Sequence, residues 1–223
     1  MIQPEMILVQ GGTFLMGSPE SEADRHTDET QHEVTLSDFC IGKYPVTQAQ
    51  WVAVMGNNPS RFKGDDLPVE NVNWNDCQKF IAKLNSLTGK AYRLPTEAEW
   101  EFAARGGVQS KGYLYAGSDD PNEVAWYNCV QTQFAGQKKA NELGLHDMSG
   151  NVWEWCNDRY TAYPTVAQAN PQVPAKGAYR VLRGGGWSGP ARHCRSAYRN
   201  HWRPGNRDFN VGLRLALAPQ SVG

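Results

Sequence analysis

Helical periodicity stops at residue 107, and that one fact limits the folds open to this chain. Before it stand three helix starts. Thr47 with Gln50, Asn75 with Gln78, and Thr96 with Glu99 have the spacing at which an N-cap side chain and the side chain three residues on satisfy each other's orphan backbone donors. Apolar residues follow at helical spacing: Trp51, Val52 and Met55, then Phe80, Ile81 and Leu84, then Trp100 and Ala103. Gly56, Gly89 and Gly106-Gly107 supply the stops. After residue 107, Gly, Asn, Pro and aromatics take over, broken by short strands near 152–156, 179–184 and 210–217. A few helices on small sheets, followed by a long irregular half, make an α+β domain, and loops that long need a functional reason or a brace.

The N-terminal part reads as strand. Residues 5–16 suggest two short segments joined as a hairpin at Gly11-Gly12, and 33–42 a further strand with Val34, Leu36 and Phe39 alternating. Between them Glu20–Glu29 reads as a solvated acidic loop, carrying His26 with His32 just beyond. In the second half Gly150-Asn151 gives a tight turn. Trp153 and Trp155 then alternate with Val152 and Glu154, placing two large rings on one face and an acid on the other. Gly184-Gly185-Gly186 permits close backbone approach below Trp187.

Composition excludes some classes. Hydrophobic residues at 40% and charged residues at 20% can build a packed core, which argues against disorder, and a single domain over 1–223 is expected. No apolar run approaches the roughly 18 residues of a spanning helix, so membrane insertion is not expected. The start, MIQPEMILVQGG, lacks the basic residues of a secretory signal; a soluble, cytoplasmic protein is expected, with surface display open if a leader was trimmed. Five cysteines, odd in number and without a C-x-x-C pair, read as reduced thiols rather than a disulfide framework or zinc ribbon. The net charge of −1 conceals an asymmetry: residues 180–214 hold eight arginines against Asp208 alone, leaving 14 basic and 22 acidic residues elsewhere. Internal pairing with that acidic remainder is favoured over polyanion binding, and nucleic acid is not the expected partner.

Phrases along nearly the whole chain carry a resemblance: LVQGGTFLMG (8–17), KYPVTQAQW (43–51), LPVENVNWNDC (67–77), RLPTEAEWEFAARGG (93–107), GLHDMSGNVWEWCND (144–158), RVLRGGGW (180–187), CRSAYR (194–199) and NVGLRL (210–215). In this order they resemble the formylglycine-generating-enzyme, or sulfatase-modifying-factor, domain. The resemblance implies a C-type lectin-like α+β fold. It also implies, for active members, two cysteines five residues apart after an RGG phrase, binding Cu(I) as thiolates to oxidise a sulfatase cysteine. Soft Cu(I) favours such a pair. Here RGG at 183–185 places the first at Gly189 and the second at Cys194, so one thiolate is missing and no copper is expected. Cys194 has a catalytic role only if the copper-oxidase alternative holds. His146, where that phrase commonly has Tyr, reads as structural. The same resemblance supports a bracing calcium on Asn151, the Val152 carbonyl and Glu154, whose hard oxygens suit that ion; a metal-free turn is the alternative.

From Arg180 on, fixed-looking phrases frame positions of mixed character, a cadence similar to the variable proteins of diversity-generating retroelements. The resemblance implies a ligand-binding cassette over 180–217. Its candidate contacts are Gly186, Ser188, Gly189, Arg192, His193, Tyr198, His201, Trp202, Arg203, Asp208 and Phe209. Aromatics and Arg dominate binding hot spots, and Trp202 between His201 and Arg203 is expected to face a ligand. The leading expectation is a non-enzymatic binding protein with a protein ligand. A formylglycine-generating oxidase or inactive accessory relative is the second reading, and polyanion binding the third.

Overall fold

The computed structural model describes residues 3–171 and 176–219. The chain opens with four strands, β1 (Met6–Val9), β2 (Gly12–Met16), β3 (His32–Leu36) and β4 (Phe39–Gly42). β1 and β2 do not form the expected hairpin. β1 pairs antiparallel with β4 and β2 with β3, so the first stretch lies along the second as one bent ribbon. The bend explains the difference. Gly11 lies so close to the other chain segment that a Cβ would stand 2.3 Å from the Leu36 carbonyl, and its N–H donates to Asp38 Oδ1 at 2.8 Å. That contact also splits residues 33–42 into β3 and β4 rather than one strand.

Helices follow as α1 (Gln48–Met55), α2 (Trp74–Thr88) and α3 (Glu97–Ala104). The capping boxes at Thr47 and Thr96 form as expected. α2 starts two residues earlier than the sequence suggests, capped by Asn73 with Asp76 rather than by Asn75 with Gln78. The earlier start is fixed by Asn73 Oδ1, which accepts from Asp76 N at 2.8 Å, and by Trp74, whose indole donates to the Cys156 carbonyl at 3.1 Å.

The second half supplies a short helical turn, α4 (Pro121–Val124), and strands β5 (Ala125–Trp126), β6 (Ser149–Gly150), β7 (Trp153–Arg159), β8 (Gln168–Ala169), β9 (Arg180–Arg183), β10 (Asn200–Trp202), β11 (Val211–Gly212) and β12 (Ala216–Leu217). Among the described residues the sheets run β1-β4-β12, β2-β3-β8, β5-β6 and β10-β9-β7-β11. The last sheet divides the core. On one face Trp153, Trp155, Leu182 and Val211 pack with α1 and α2, where Trp51 stacks on Phe80 at 4.8 Å. On the other, Cys156 and Val181 pack with α3 and the first strands. The alternation read from 152–156 is thus realised. No helix among the described residues is long and apolar enough to cross a membrane, and all five cysteines are free.

What replaces helices in the second half is a set of buried ion pairs. Arg183 bonds Glu101, Arg199 bonds Glu97, Arg214 bonds Glu154 and Arg195 bonds Glu29, all with both partners almost fully buried. Each guanidinium also donates to backbone carbonyls: Arg183 to Ala197 and Ser196, Arg199 to Asp28 and Thr161, Arg214 to Gly42 and His146, and Arg195 to Asp24. Several directed donors on one rigid fork can fasten several loop carbonyls at once, which a helix-poor segment requires. The internal pairing expected of the late arginines is found for these four. Glu29 corrects the reading of Glu20–Glu29 as solvated. It is fully buried and, although burial would raise its pKa, Arg195 and Ser18 hold its carboxyl below the ordinary value.

Candidate functional site

Seven rings form a strip over the end of the β7–β9 sheet. Phe62 meets Trp187 edge-on at 5.5 Å, and Trp187 lies 5.9 Å from Phe209 and donates its indole N–H to the Phe209 carbonyl at 3.0 Å. Beyond Gly186 the strip continues: Trp153 lies 6.0 Å from His193 and 5.9 Å from Tyr198, and Tyr198 lies 4.9 Å from His26. Gly186 joins the halves because a Cβ there would stand 3.0 Å from Trp153 Cδ1 and 3.3 Å from Asn210. Aromatic pairs of this kind contribute about 0.5–1.5 kcal/mol each beyond burial, so the strip is prearranged.

Six of the eleven expected contacts come together here: Gly186, Ser188, Gly189, His193, Tyr198 and Phe209. Ser188 is exposed and accepts from Asn210 at 2.9 Å, while Gly189 donates to the Gly186 carbonyl and accepts from Asn128 N. Arg192, exposed on the short turn Ala191–Cys194, is close enough to act on His193 and Tyr198. Burial, with Arg192 next, lowers the His193 pKa and so favours the neutral ring. Tyr198 offers only an edge, being 8% exposed.

The other four positions stand apart. His201 stacks on Tyr160 at 4.0 Å and meets Tyr179 at 5.0 Å. Trp202, next in the strand and so on the opposite face, pairs with Arg180 and packs half-buried against the larger core rather than standing free. Arg203 is exposed near Tyr179. Asp208 shapes the backbone: its carbonyl accepts from Asn71 and Val211, and its side chain accepts from Phe209 N at 2.7 Å.

The sequence reading missed Arg61, Phe62 and His26 as parts of the face. Arg61 lies over Phe209 at 4.8 Å and over Phe62 at 5.6 Å. A ring set between Arg61 and Lys63 in a loop was the available signal. The loop is fixed from below: Phe62 N donates to Glu70 Oε1 at 2.9 Å, Ser60 Oγ bonds the Glu70 backbone, and Asn58 and Gly64 donate to Gln48 Oε1. Burial pushes the Glu70 carboxyl up to about 7. His26, placed by sequence in a solvated loop, is drawn onto Tyr198 because Glu29 anchors its segment through Arg195 and accepts from His26 N.

Residues 2–219 match the model of the sulfatase-modifying factor enzyme 1-like domain. The chain belongs to this family. A sulfatase-modifying-factor-like fold of this kind is found in the solved Treponema denticola variable protein 1, which superposes with a TM-score of 0.89 at 32% identity, covering 96% of this chain and 95% of the other. In sequence, the chain is 36% identical over 273 aligned residues to the chaperone protein LppX of Paenibacillus barcinonensis, covering 96% of this chain and 89% of that protein. It is 34% identical over 199 residues to the formylglycine-generating enzyme of Streptomyces coelicolor, covering 74% of this chain and 60% of the enzyme. The chain therefore spans less than two thirds of that enzyme's length.

Within the family frame, the cysteine position at Cys194 is fully buried below Gly185, and burial pushes its thiol up to about 12. Gly189 stands at the surface turn opposite Asn128. Of the three expected calcium ligands, Glu154 has protein partners for both of its oxygens. Glu154 gives its oxygens to Arg214 at 2.8–3.1 Å and to the Trp100 indole at 2.7 Å, so a guanidinium occupies the place a cation would neutralise. Near that phrase Asn151 Oδ1 accepts from Gln133 N at 3.1 Å and Asp147 Oδ2 from Gly136 N at 2.7 Å, and the buried Asp147 carboxylate lies 3.4 Å from the Asn151 amide nitrogen. Burial raises the Asp147 pKa, and Thr132 Oγ1 is buried without a partner.

Proposed function

We propose that this chain is a non-enzymatic binding module whose contact surface is the ring strip, with the diversified cassette of the retroelement variable proteins as its functional parallel. The observation that carries it is the strip itself, whose exposed and half-exposed positions, Ser188, Gly189, Arg192, His193 and Phe209, fall within 180–217 on a backbone tied down by buried arginines. Rigid aromatic anchors with adjacent Arg suit recognition, since they lose little entropy on binding. The buried, high-pKa thiol at Cys194 and the glycine at 189 count against the oxidase reading, because a thiolate is the reactive and metal-binding form.

The test has two arms. In close relatives at the same locus, substitutions are expected to concentrate at the eleven cassette positions; an even spread along the chain removes the variable-cassette reading. Incubation with copper and a cysteine-containing sulfatase peptide is expected to yield no formylglycine by mass spectrometry. Turnover abolished by Cys194→Ala would establish the oxidase instead.

A structural calcium, implied by the resemblance for Asn151, the Val152 carbonyl and Glu154, would draw its charge from Asp147 beside Asn151, because Glu154 is paired with Arg214. Calcium is then expected to raise the melting temperature of the chain treated with chelator, and Asp147→Asn to remove that rise. An unchanged melting temperature on adding calcium discards the site.

A further inference from the structure

We propose that the strip takes a protein segment that sets carboxylates beside an aromatic or aliphatic side chain, with Arg61 and Arg192 receiving the carboxylates. This rests on the binding reading above and names the chemistry of its partner.

Much of the late arginine charge is neutralised in the interior. Arg183, Arg195, Arg199 and Arg214 are consumed there by Glu22, Glu29, Glu97, Glu101 and Glu154. Five of the 22 acids outside the late segment are therefore spent inside on these four arginines. At the strip, Arg192 and Arg61 are exposed, and among the described residues neither makes an ion pair. The guanidinium fork of Arg61 lies over the Phe209 ring, 4.8 Å from its centroid, on an exposed side chain. That fork matches a carboxylate in bidentate geometry.

Among the described residues, none of the acids nearest the strip forms an ion pair with Arg61 or Arg192, and Asp28 accepts from the Tyr160 hydroxyl. Glu70 is fully buried under the loop and bound to Phe62 N. Asp208 is occupied with Phe209 N, and Glu22 and Glu29 with Arg195. Two cations without an ion pair among the described residues thus flank a strip in which Trp153, Trp187 and Tyr198 are buried and Phe62, His193 and Phe209 are the half-exposed rings. A purely apolar partner would strand them and a basic one would be repelled. A nucleic-acid track is disfavoured because four late arginines that could have met phosphates are buried and neutralised. Because Gln48 and Glu70 fix the 58–64 loop, Arg61 is positioned before any partner arrives, which lowers the ordering cost of binding.

The experiment selects a displayed random peptide library on the full chain, then measures a fluorescein-labelled winning peptide by anisotropy at low and high salt. Winners are expected to carry Asp or Glu next to Trp, Phe or Leu. Arg61→Gln and Arg192→Gln are each expected to weaken binding by about three- to tenfold, and the double variant to lose most of the salt dependence. Both are surface changes, so folding is retained. Ser188→Arg, which blocks the strip from an exposed position, is expected to abolish binding. Winners without acids, or winners insensitive to both Gln variants but lost with Ser188→Arg, would overturn the carboxylate assignment while leaving the binding face intact. No winner, or winners indifferent to Ser188→Arg, would remove the binding reading and this proposal together. A short DNA duplex bound more tightly than any winning peptide would overturn the proposal in favour of a polyanion.

Discussion

Glu97→Ala should cost about 3–5 kcal/mol of unfolding free energy, the range for removing one partner of a buried ion pair. Glu97 opens α3 and is 4% exposed. It accepts from Arg199 Nε at 2.7 Å and Nη2 at 2.9 Å, from the Tyr163 hydroxyl at 3.0 Å, and from Arg183 at 3.5 Å. Burial alone would raise its pKa, but Arg199 and Arg183 hold it below the ordinary value, so the ionised form is the one the fold is built around. Alanine removes the charge and leaves Arg199, buried and fastened to Asp28 and Thr161, without its counterion. A carboxylate in the first turn also meets the positive end of the helix, a smaller loss of about 0.3–1 kcal/mol. Urea unfolding of Glu97→Ala beside Glu123→Ala makes the comparison sharp. Glu123 pairs with Lys139 at 3.0 Å in solvent, where water and salt screen the charges, and should cost far less. Equal small losses for both would refute the stabilising role of the interior pairs.

Asp158→Asn should act in the opposite direction and depend on pH. Asp158 is 8% exposed, and its Oδ2 accepts from Glu97 N at 2.8 Å. Burial, followed by the charge of Glu97, pushes its carboxyl up to about 7 from an ordinary 3.8. A raised acid binds its proton in the folded chain while the unfolded chain has released it. Its contribution is therefore complete below about pH 4 and is lost as pH rises toward 7, at up to about 1.4 kcal/mol per pH unit. Glu70 has the same sign, whereas Glu97 and Glu29, with lowered values, lose their contribution as pH falls. The difference between wild type and variant isolates Asp158. Asparagine keeps the acceptor for Glu97 N and carries no charge, so the variant should gain on the order of 2–4 kcal/mol over wild type in going from acid to about pH 8. Denaturant titrations at both pH values would show it, and parallel curves for the two proteins would rule it out.

The legibility of this fold follows the range of the forces involved. Helix starts at Thr47 and Thr96 were readable because a capping box closes within four residues. α2 shows the limit of that reading: Asn73 and Asn75 both offer a cap, and the choice was made by Trp74 reaching Cys156, 82 residues away. The alternation at Trp153 to Trp155 was equally local, and strand geometry alone carries it. The bent ribbon was not readable, since Gly11 looks like a hairpin turn until Leu36 and Asp38 are beside it.

The same division runs through the site. Phrases in order along the chain were enough to identify the family, and they marked out the segment that contains Ser188, His193, Tyr198 and Phe209. They could not say that Phe62 and Arg61 complete the face, or that His201 and Trp202 leave it on opposite sides of a strand. Glu154 is the plainest case. Its residue type fits a calcium ion, and only the arrival of Arg214, 60 residues later, commits it to an ion pair.

What the sequence determined by itself is therefore the α+β class, the two outer helix starts, the two-faced strand at 153–155 and the family. Each depends on contacts between near neighbours or on a pattern carried in order along the chain. Tertiary structure alone decided which arginines are spent inside and which face outward. Composition counts charges, but a buried guanidinium needs a specific carboxylate from a distant segment, and that pairing exists only once the chain has closed on itself.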